Sequence, residues 1–147
     1  MLKIVVKATG MALLVIAEIT AMSACASQPQ ADVSQVRSYA DPITEDILMA
    51  MNTGDYAKYS EHFDDTMKSA LPEAVFRQTN DTIKTKIGEY VSKEFWKIET
   101  QNQYTIVFYK ARFTQESGDV IVQVAFQEVS GQNLVSGLWL DSPNLRQ

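Results

Sequence analysis

The chain has 147 residues, with 13 Lys and Arg against 18 Asp and Glu and a formal net charge of −5. An acidic balance with no basic run and no basic–aromatic interleaving argues against phosphate-backbone binding, so no nucleic-acid partner is expected. With a single cysteine there is no internal disulfide, and the domain must be held by its apolar core.

The N-terminal segment carries an address rather than a fold. Lys3 and Lys7 precede an apolar stretch from Met11 to Ala17, and the small residues Ser23 and Ala24 lead into Cys25. A basic start, an apolar centre and small residues at a cut are the parts of a secretory signal. The segment resembles a bacterial lipoprotein signal, with Met22 where Leu is usual and Glu18 inside the apolar region. A retained spanning helix needs about 20 apolar residues, and an acid such as Glu18 near its centre costs roughly 2.5–3.5 kcal/mol. The expectation is a signal over residues 1–24 and a lipidated Cys25. The domain is then extracytoplasmic, anchored to the cell membrane or the outer membrane. Two or more acyl chains anchor stably where one binds only marginally. Removing residues 1–24 leaves 11 basic and 17 acidic residues, a net charge of −6.

Residues 25–40 hold Ser, Gln, Pro and Asp and read as a tether, with a helix from Val33 onward as the alternative. Asp41-Pro42 predicts a helix start, an N-cap acid followed by proline at the first helical position. Ile43, Ile47, Leu48 and Met51 then share one face, and Gly54 is a stop. Asp55 caps a second short helix bearing Tyr56, Tyr59 and Phe63. A third begins near Pro72, carries Val75, Phe76, Thr79, Ile83 and Ile87, and ends at Gly88.

The second half reads as strands. In Glu89 to Thr100 the alternation slips, which predicts a β-bulge near Lys93–Glu94. Tyr104 to Thr114 sets Tyr104, Ile106 and Phe108 opposite Val107, Tyr109 and Phe113. Val120, Val122, Val124 and Phe126 alternate most clearly, and Leu134 to Leu140 makes the last strand. Turns fall at Gln101–Gln103, Glu116–Gly118 and Ser130–Gln132, short enough for hairpins. Helices followed by a four-stranded antiparallel meander predict an α+β domain with helices packed on one sheet face.

Asn52-Thr53-Gly54-Asp55-Tyr56, Phe63-Asp64-Asp65-Thr66-Met67-Lys68, Ala70-Leu71-Pro72, Gly88-Glu89-Tyr90 and Ser136-Gly137-Leu138 resemble the DUF3887 family. That family belongs to the NTF2-like, cystatin-like group of cone-shaped folds. The resemblance covers about Ile43 to Pro143, so a domain is expected over residues 41–143, with 144–147 as a tail. It implies an accessory part, because the domain also occurs fused to hydrolases and as lipoproteins.

Chemistry is sparse. His62, the one histidine, lies beside Asp64 and Asp65, and a His–Asp pair does acid–base work. Ketosteroid-isomerase-like members of the NTF2 group imply another casting, with Asp64 or Asp65 as base and Tyr56 or Tyr59 as donor. The competing reading is a helix end at which Asp caps and His is exposed. Glu61, Asp64 and Asp65 lack the spacing of a calcium loop, and one His with one lipidated Cys makes no zinc site. No metal and no cofactor are therefore expected. The aromatic residues are a better hint. Phe76, Trp96, Phe108, Phe126 and Trp139 are the candidates to line a hollow for a small apolar ligand, against the plainer reading of core packing. The expected function is a membrane-tethered, non-catalytic binding or accessory domain for a small apolar ligand or an envelope partner. Two rivals stand beside it: a small isomerase or hydratase, and a structural envelope protein that forms a homodimer through its sheet.

Overall fold

The computed structural model describes residues 32–147. The signal segment and Cys25 lie outside the described residues. Four helices precede four strands: α1 (Val33–Thr53), α2 (Tyr56–Tyr59), α3 (Asp65–Ala70), α4 (Glu73–Ile87), β1 (Tyr90–Gln101), β2 (Tyr104–Phe113), β3 (Val120–Val129) and β4 (Gln132–Asp141). The strands form one antiparallel sheet in the order β1-β2-β3-β4. This is the α+β meander expected from the sequence.

The start of α1 corrects the expected boundary. Asp32 is the N-cap, its carboxylate accepting from the Ser34 N–H at 2.9 Å, and Pro42 lies inside the helix. Val36 and Ala40 extend the stripe of Ile43, Ile47, Leu48 and Met51 backwards at helical spacing, and all six are buried. A proline in a helix interior costs about 3 kcal/mol. Burial of the two extra turns offsets that cost, and residues 33–40 belong to the domain rather than to the tether. Asp41 is freed from capping. It pairs with Arg37 at 2.9 Å and accepts from the Tyr109 hydroxyl at 2.9 Å.

The second helix is shorter than expected. It stops at Tyr59, and Phe63 instead forms a parallel bridge with Val135. The Asp64 N–H donates to the Val135 carbonyl at 3.0 Å, and the Val135 N–H donates to the His62 carbonyl at 2.8 Å. This bridge covers part of the exposed edge of β4, where unpaired backbone groups invite other chains. α3, six residues long, is too brief to leave a periodic trace in the sequence.

Two irregularities in β1, at Val91 and Trp96, replace the single bulge expected near Lys93–Glu94. The shift at Trp96 puts Trp96 and Lys97 on the same face of the sheet. A further shift in β4 falls at Ser136. The β3–β4 turn is Ser130-Gly131, with φ of 53° and 78°, both positive as a type I′ hairpin requires.

One face of the sheet packs on the helices. Val107, Tyr109, Ala111 and Phe113 of β2 and Val120, Val122, Val124 and Phe126 of β3 meet the buried stripe of α1. Asn52 ties α1 to β1, donating to the Tyr90 carbonyl at 2.8 Å and accepting from the Tyr90 N–H at 2.9 Å. Gly88 turns α4 into β1 at φ 80°, where a Cβ would sit 2.1 Å from the Thr114 hydroxyl oxygen. No described helix is long and apolar enough to cross a membrane.

Candidate functional site

Between α1, α2, α4 and β4 lies a half-open hollow of about 320 Å³. Met51, Leu71, Ile83, Leu138, Leu140 and Leu145 make its walls, with Tyr59, Thr79 and Trp139 at their margins. The α4 residues project on one side through their three- and four-residue spacing. Leu138 and Leu140 are the helix-facing residues of β4, paired with Val124 and Val122. Leu145 comes from the segment expected to be a tail. Here it packs against the core, because the Asn144 N–H donates to Glu116 at 3.2 Å and Ser142 is buried. Hydrogen bonds from Ser142 foremost, then from backbone N–H groups, hold the Glu116 carboxyl below its usual range.

Tyr59 lies at the margin of this apolar lining. Its ring is 6% exposed and packs 4.3 Å from Phe76 and 5.0 Å from Phe63. Among the described residues nothing hydrogen-bonds its hydroxyl. Burial foremost, with the neighbouring Tyr56, pushes its pKa up to about 12. Tyr59 is therefore a neutral donor throughout the physiological range. Pockets for small molecules begin at roughly 300 Å³ and pair apolar walls with a few placed polar groups.

The residues singled out in the sequence are scattered. Asp64 is buried and its two oxygens are both engaged, one accepting from the Met67 N–H at 2.7 Å as the cap of α3, the other from the Ser136 hydroxyl at 2.6 Å. Asp65 is exposed in the first turn of α3, and His62 is half-buried with its backbone in the bridge to Val135. The Tyr56 hydroxyl donates to the Leu71 carbonyl at 2.9 Å. None of these four lines the hollow.

The aromatic set is also divided, which corrects the expectation of one shared hollow. Phe76 and Phe126 are core residues, 2% and 1% exposed. Trp96, Phe108 and Trp139 stand on the face of the sheet that no helix covers. The Trp96 and Phe108 rings meet edge to face at 6.2 Å, and the Lys97 and Lys110 ammonium groups lie 5.0 and 5.2 Å from the Trp96 ring centre. Trp139 folds its indole over Gly137, where a Cβ would come within 2.3 Å of the ring. A shallow depression of about 410 Å³ beside it is lined by Tyr104, Ile106, Gln123 and Ala125. The two indoles are 46% and 53% exposed. The faces divide this way because period-two alternation sends odd and even positions apart, and the bulge at Trp96 changes the parity of β1 midway.

A seam of acids and tyrosines between α1 and the sheet was not foreseen. Asp41 accepts from Tyr109, and Glu45 accepts from the Tyr90 hydroxyl and from Lys93, both at 2.8 Å. Burial foremost, then the carboxylate each one serves, raises both tyrosines well above their ordinary pKa. The signal was the i, i+4 recurrence of Arg37, Asp41 and Glu45, which is legible once α1 is known to start at Val33. Asp41, Glu45, Tyr90, Lys93 and Tyr109 are each matched to a partner in the protein, as befits a tie between helix and sheet, while the buried Thr44 hydroxyl beside them has no hydrogen-bond partner. Among the described residues no cluster of His, Cys, Asp and Glu is arranged to hold a metal ion.

A family model described as "Protein of unknown function (DUF3887)" matches residues 44–133. No curated protein matches the chain. Among solved structures, an NTF-2 like protein of unknown function from Burkholderia xenovorans LB400 is similar at 12% identity. The match covers 72% of this chain and 88% of that one, with a TM-score of 0.37.

Proposed function

We propose, from the premise that the chain belongs to the DUF3887 family, that its domain is a non-catalytic, membrane-tethered binding module for a small apolar ligand. The observation that carries this reading is the aliphatic hollow walled by α4, β4 and Leu145. The tether is lipid on Cys25, outside the cytoplasm, and the motif around that cysteine supports it. Octan-2-one, an eight-carbon ketone, should raise the thermal midpoint of the wild-type chain, and Ile83→Glu, which sets a carboxylate in the wall, should abolish the rise. Cys25→Ser should move the protein from the membrane to the soluble fraction and leave the ketone response intact. No response to any aliphatic ketone at millimolar concentration would remove the ligand reading. Membrane retention of Cys25→Ser would remove the tether.

A second reading rests on the open sheet face, where Trp96 and Trp139 present two half-exposed indoles. An accessory domain would dock an envelope partner, or a second copy, there. Sedimentation of the chain is the check. Self-association that Trp96→Glu abolishes supports a second copy, and a monomer at every concentration rules it out.

A further inference from the structure

We infer that the open face of the sheet carries an oligosaccharide site, a trough for a neutral chain of pyranose rings stacked on the Trp139 indole. This goes beyond the apolar-ligand reading and gives the open face a sugar, not a protein, as its occupant.

The trough follows from the strand register. Ile106 of β2, Ala125 of β3 and Gly137 of β4 are paired across the sheet and form its floor. Ile106 and Ala125 are buried although no helix covers this face, because taller neighbours stand on either side. On one side Phe108, Gln123 and Trp139 are paired in the same way. On the other, Gln101 and Tyr104 lie opposite one another beside the β1–β2 turn. The depression they bound has a volume of about 410 Å³, within the range of small-molecule sites.

Trp139 is the platform. Gly137, two positions earlier, has no Cβ, and the indole occupies the space a Cβ would need. The ring therefore lies along its own strand, and at 53% exposure it leaves a broad face to solvent. An aromatic face is apolar and carries the negative part of the ring quadrupole. It suits the weakly positive C–H face of a pyranose. Phe108 stands two strands away, roughly 10 Å at ~4.8 Å per strand, so a chain of rings spans the row better than a single ring.

The polar groups specify a neutral, hydroxyl-rich ligand. The Gln101 and Gln123 amides and the Tyr104 hydroxyl line the depression and make no side-chain hydrogen bond among the described residues. Amides and phenols both donate and accept, as every sugar hydroxyl does. The charges of the face pair off among themselves. Lys97 meets Glu99, Arg112 meets Asp119 at 3.3 Å and Arg146 meets Asp141 at 3.0 Å. Lys110 lies opposite Glu94 in the β1–β2 register. A flat apolar ring bordered by neutral donors and acceptors is left for recognition. A hydrocarbon would leave the amides unmet. A protein partner would bury them in an interface core, which is usually apolar. A pyranose with equatorial hydroxyls supplies an apolar face and a polar edge together.

Both tryptophans of the chain stand on this face, so their emission reports on it directly. Titration of the full chain with cellotetraose or chitotetraose, chains of equatorially linked rings, should shift that emission to the blue and saturate. Trp96→Phe leaves Trp139 as the sole reporter and should keep the shift. By calorimetry, Trp139→Ala should weaken binding about ten-fold, the worth of one covered indole face. Gln123→Met keeps the side chain's size and should weaken binding about five-fold, one net hydrogen bond. Gly137→Ala displaces the indole and should weaken binding as much as Trp139→Ala does. Ile83→Glu, in the wall of the hollow, should bind sugar as the wild type does, so the sugar and ketone readings stand or fall separately. No shift with either sugar at millimolar concentration overturns the inference, as does binding that Trp139→Ala and Gln123→Met leave intact. An emission shift that rises with protein concentration alone marks a second copy on this face and overturns it too.

Discussion

Phe126→Ala is expected to lower the unfolding free energy by about 3–5 kcal/mol, the range for emptying a buried aromatic site. Phe126 is 1% exposed on the helix face of β3, and Tyr39 of α1 meets its ring edge to face at 5.3 Å. The site has little freedom to collapse. β3 is held between β2 and β4, and α1 lies across it as a continuous 21-residue helix. The loss therefore includes the transfer term, the cavity and the aromatic pair, which alone is worth about 0.5–1.5 kcal/mol. Urea denaturation should show a lower midpoint with an unchanged slope. Trp139→Ala is the control. Its indole is 53% exposed on the other face, and its loss should cost under about 1 kcal/mol. Equal costs at the two positions would contradict the division of the aromatic set between core and open face.

Asp64→Ala is the second large effect, expected at about 2–3 kcal/mol. Two losses combine. The Met67 N–H loses its cap, worth roughly 0.5–2 kcal/mol. The Ser136 hydroxyl loses its acceptor in a half-buried position, worth roughly 1 kcal/mol more. The second bond also links α3 to the bulge of β4, so a short helix depends on it for its place. Asp64→Asn keeps an acceptor for the cap and should cost less than half as much. Asp65→Ala, at the exposed neighbour, should cost well under 1 kcal/mol. Thermal and urea unfolding of the three variants measures the order. An Asp64→Ala variant as stable as wild type would reopen the reading of Asp64 as a free carboxylate.

These two positions show how far residue type alone reaches. Asp64 was legible as a cap or as a base, since both need an acid beside a helix. The choice turned on Ser136, 72 positions later in the chain. Phe126 was legible as one side of an alternating strand, but alternation does not say which side meets the helices. The hollow was the least legible part. Its walls are ordinary leucines, isoleucine and methionine, indistinguishable in sequence from core residues, and one comes from Leu145 in the apparent tail. The aromatic residues drew attention because they are large, yet two filled the core and three faced outward.

Sequence alone determined what is local and periodic. The stripe of α1, the alternation of β3, the Gly54 and Gly88 stops and the Ser-Gly hairpin turn are set by residues within a turn or a strand of one another. So are the order of helices before strands and the absence of a disulfide. Tertiary structure decided what depends on distant pairing. It set the true start of α1, where burial of Val36 and Ala40 outweighs an interior proline. It also set the edge bridge from Phe63 to Val135, the division of aromatic residues between two faces, and the meeting of α4, β4 and Leu145 around Tyr59. The physical reason is that a bulge or a shared wall is chosen by the packing energy of the whole assembly. That energy is shared among residues far apart in the chain, and no short window contains it.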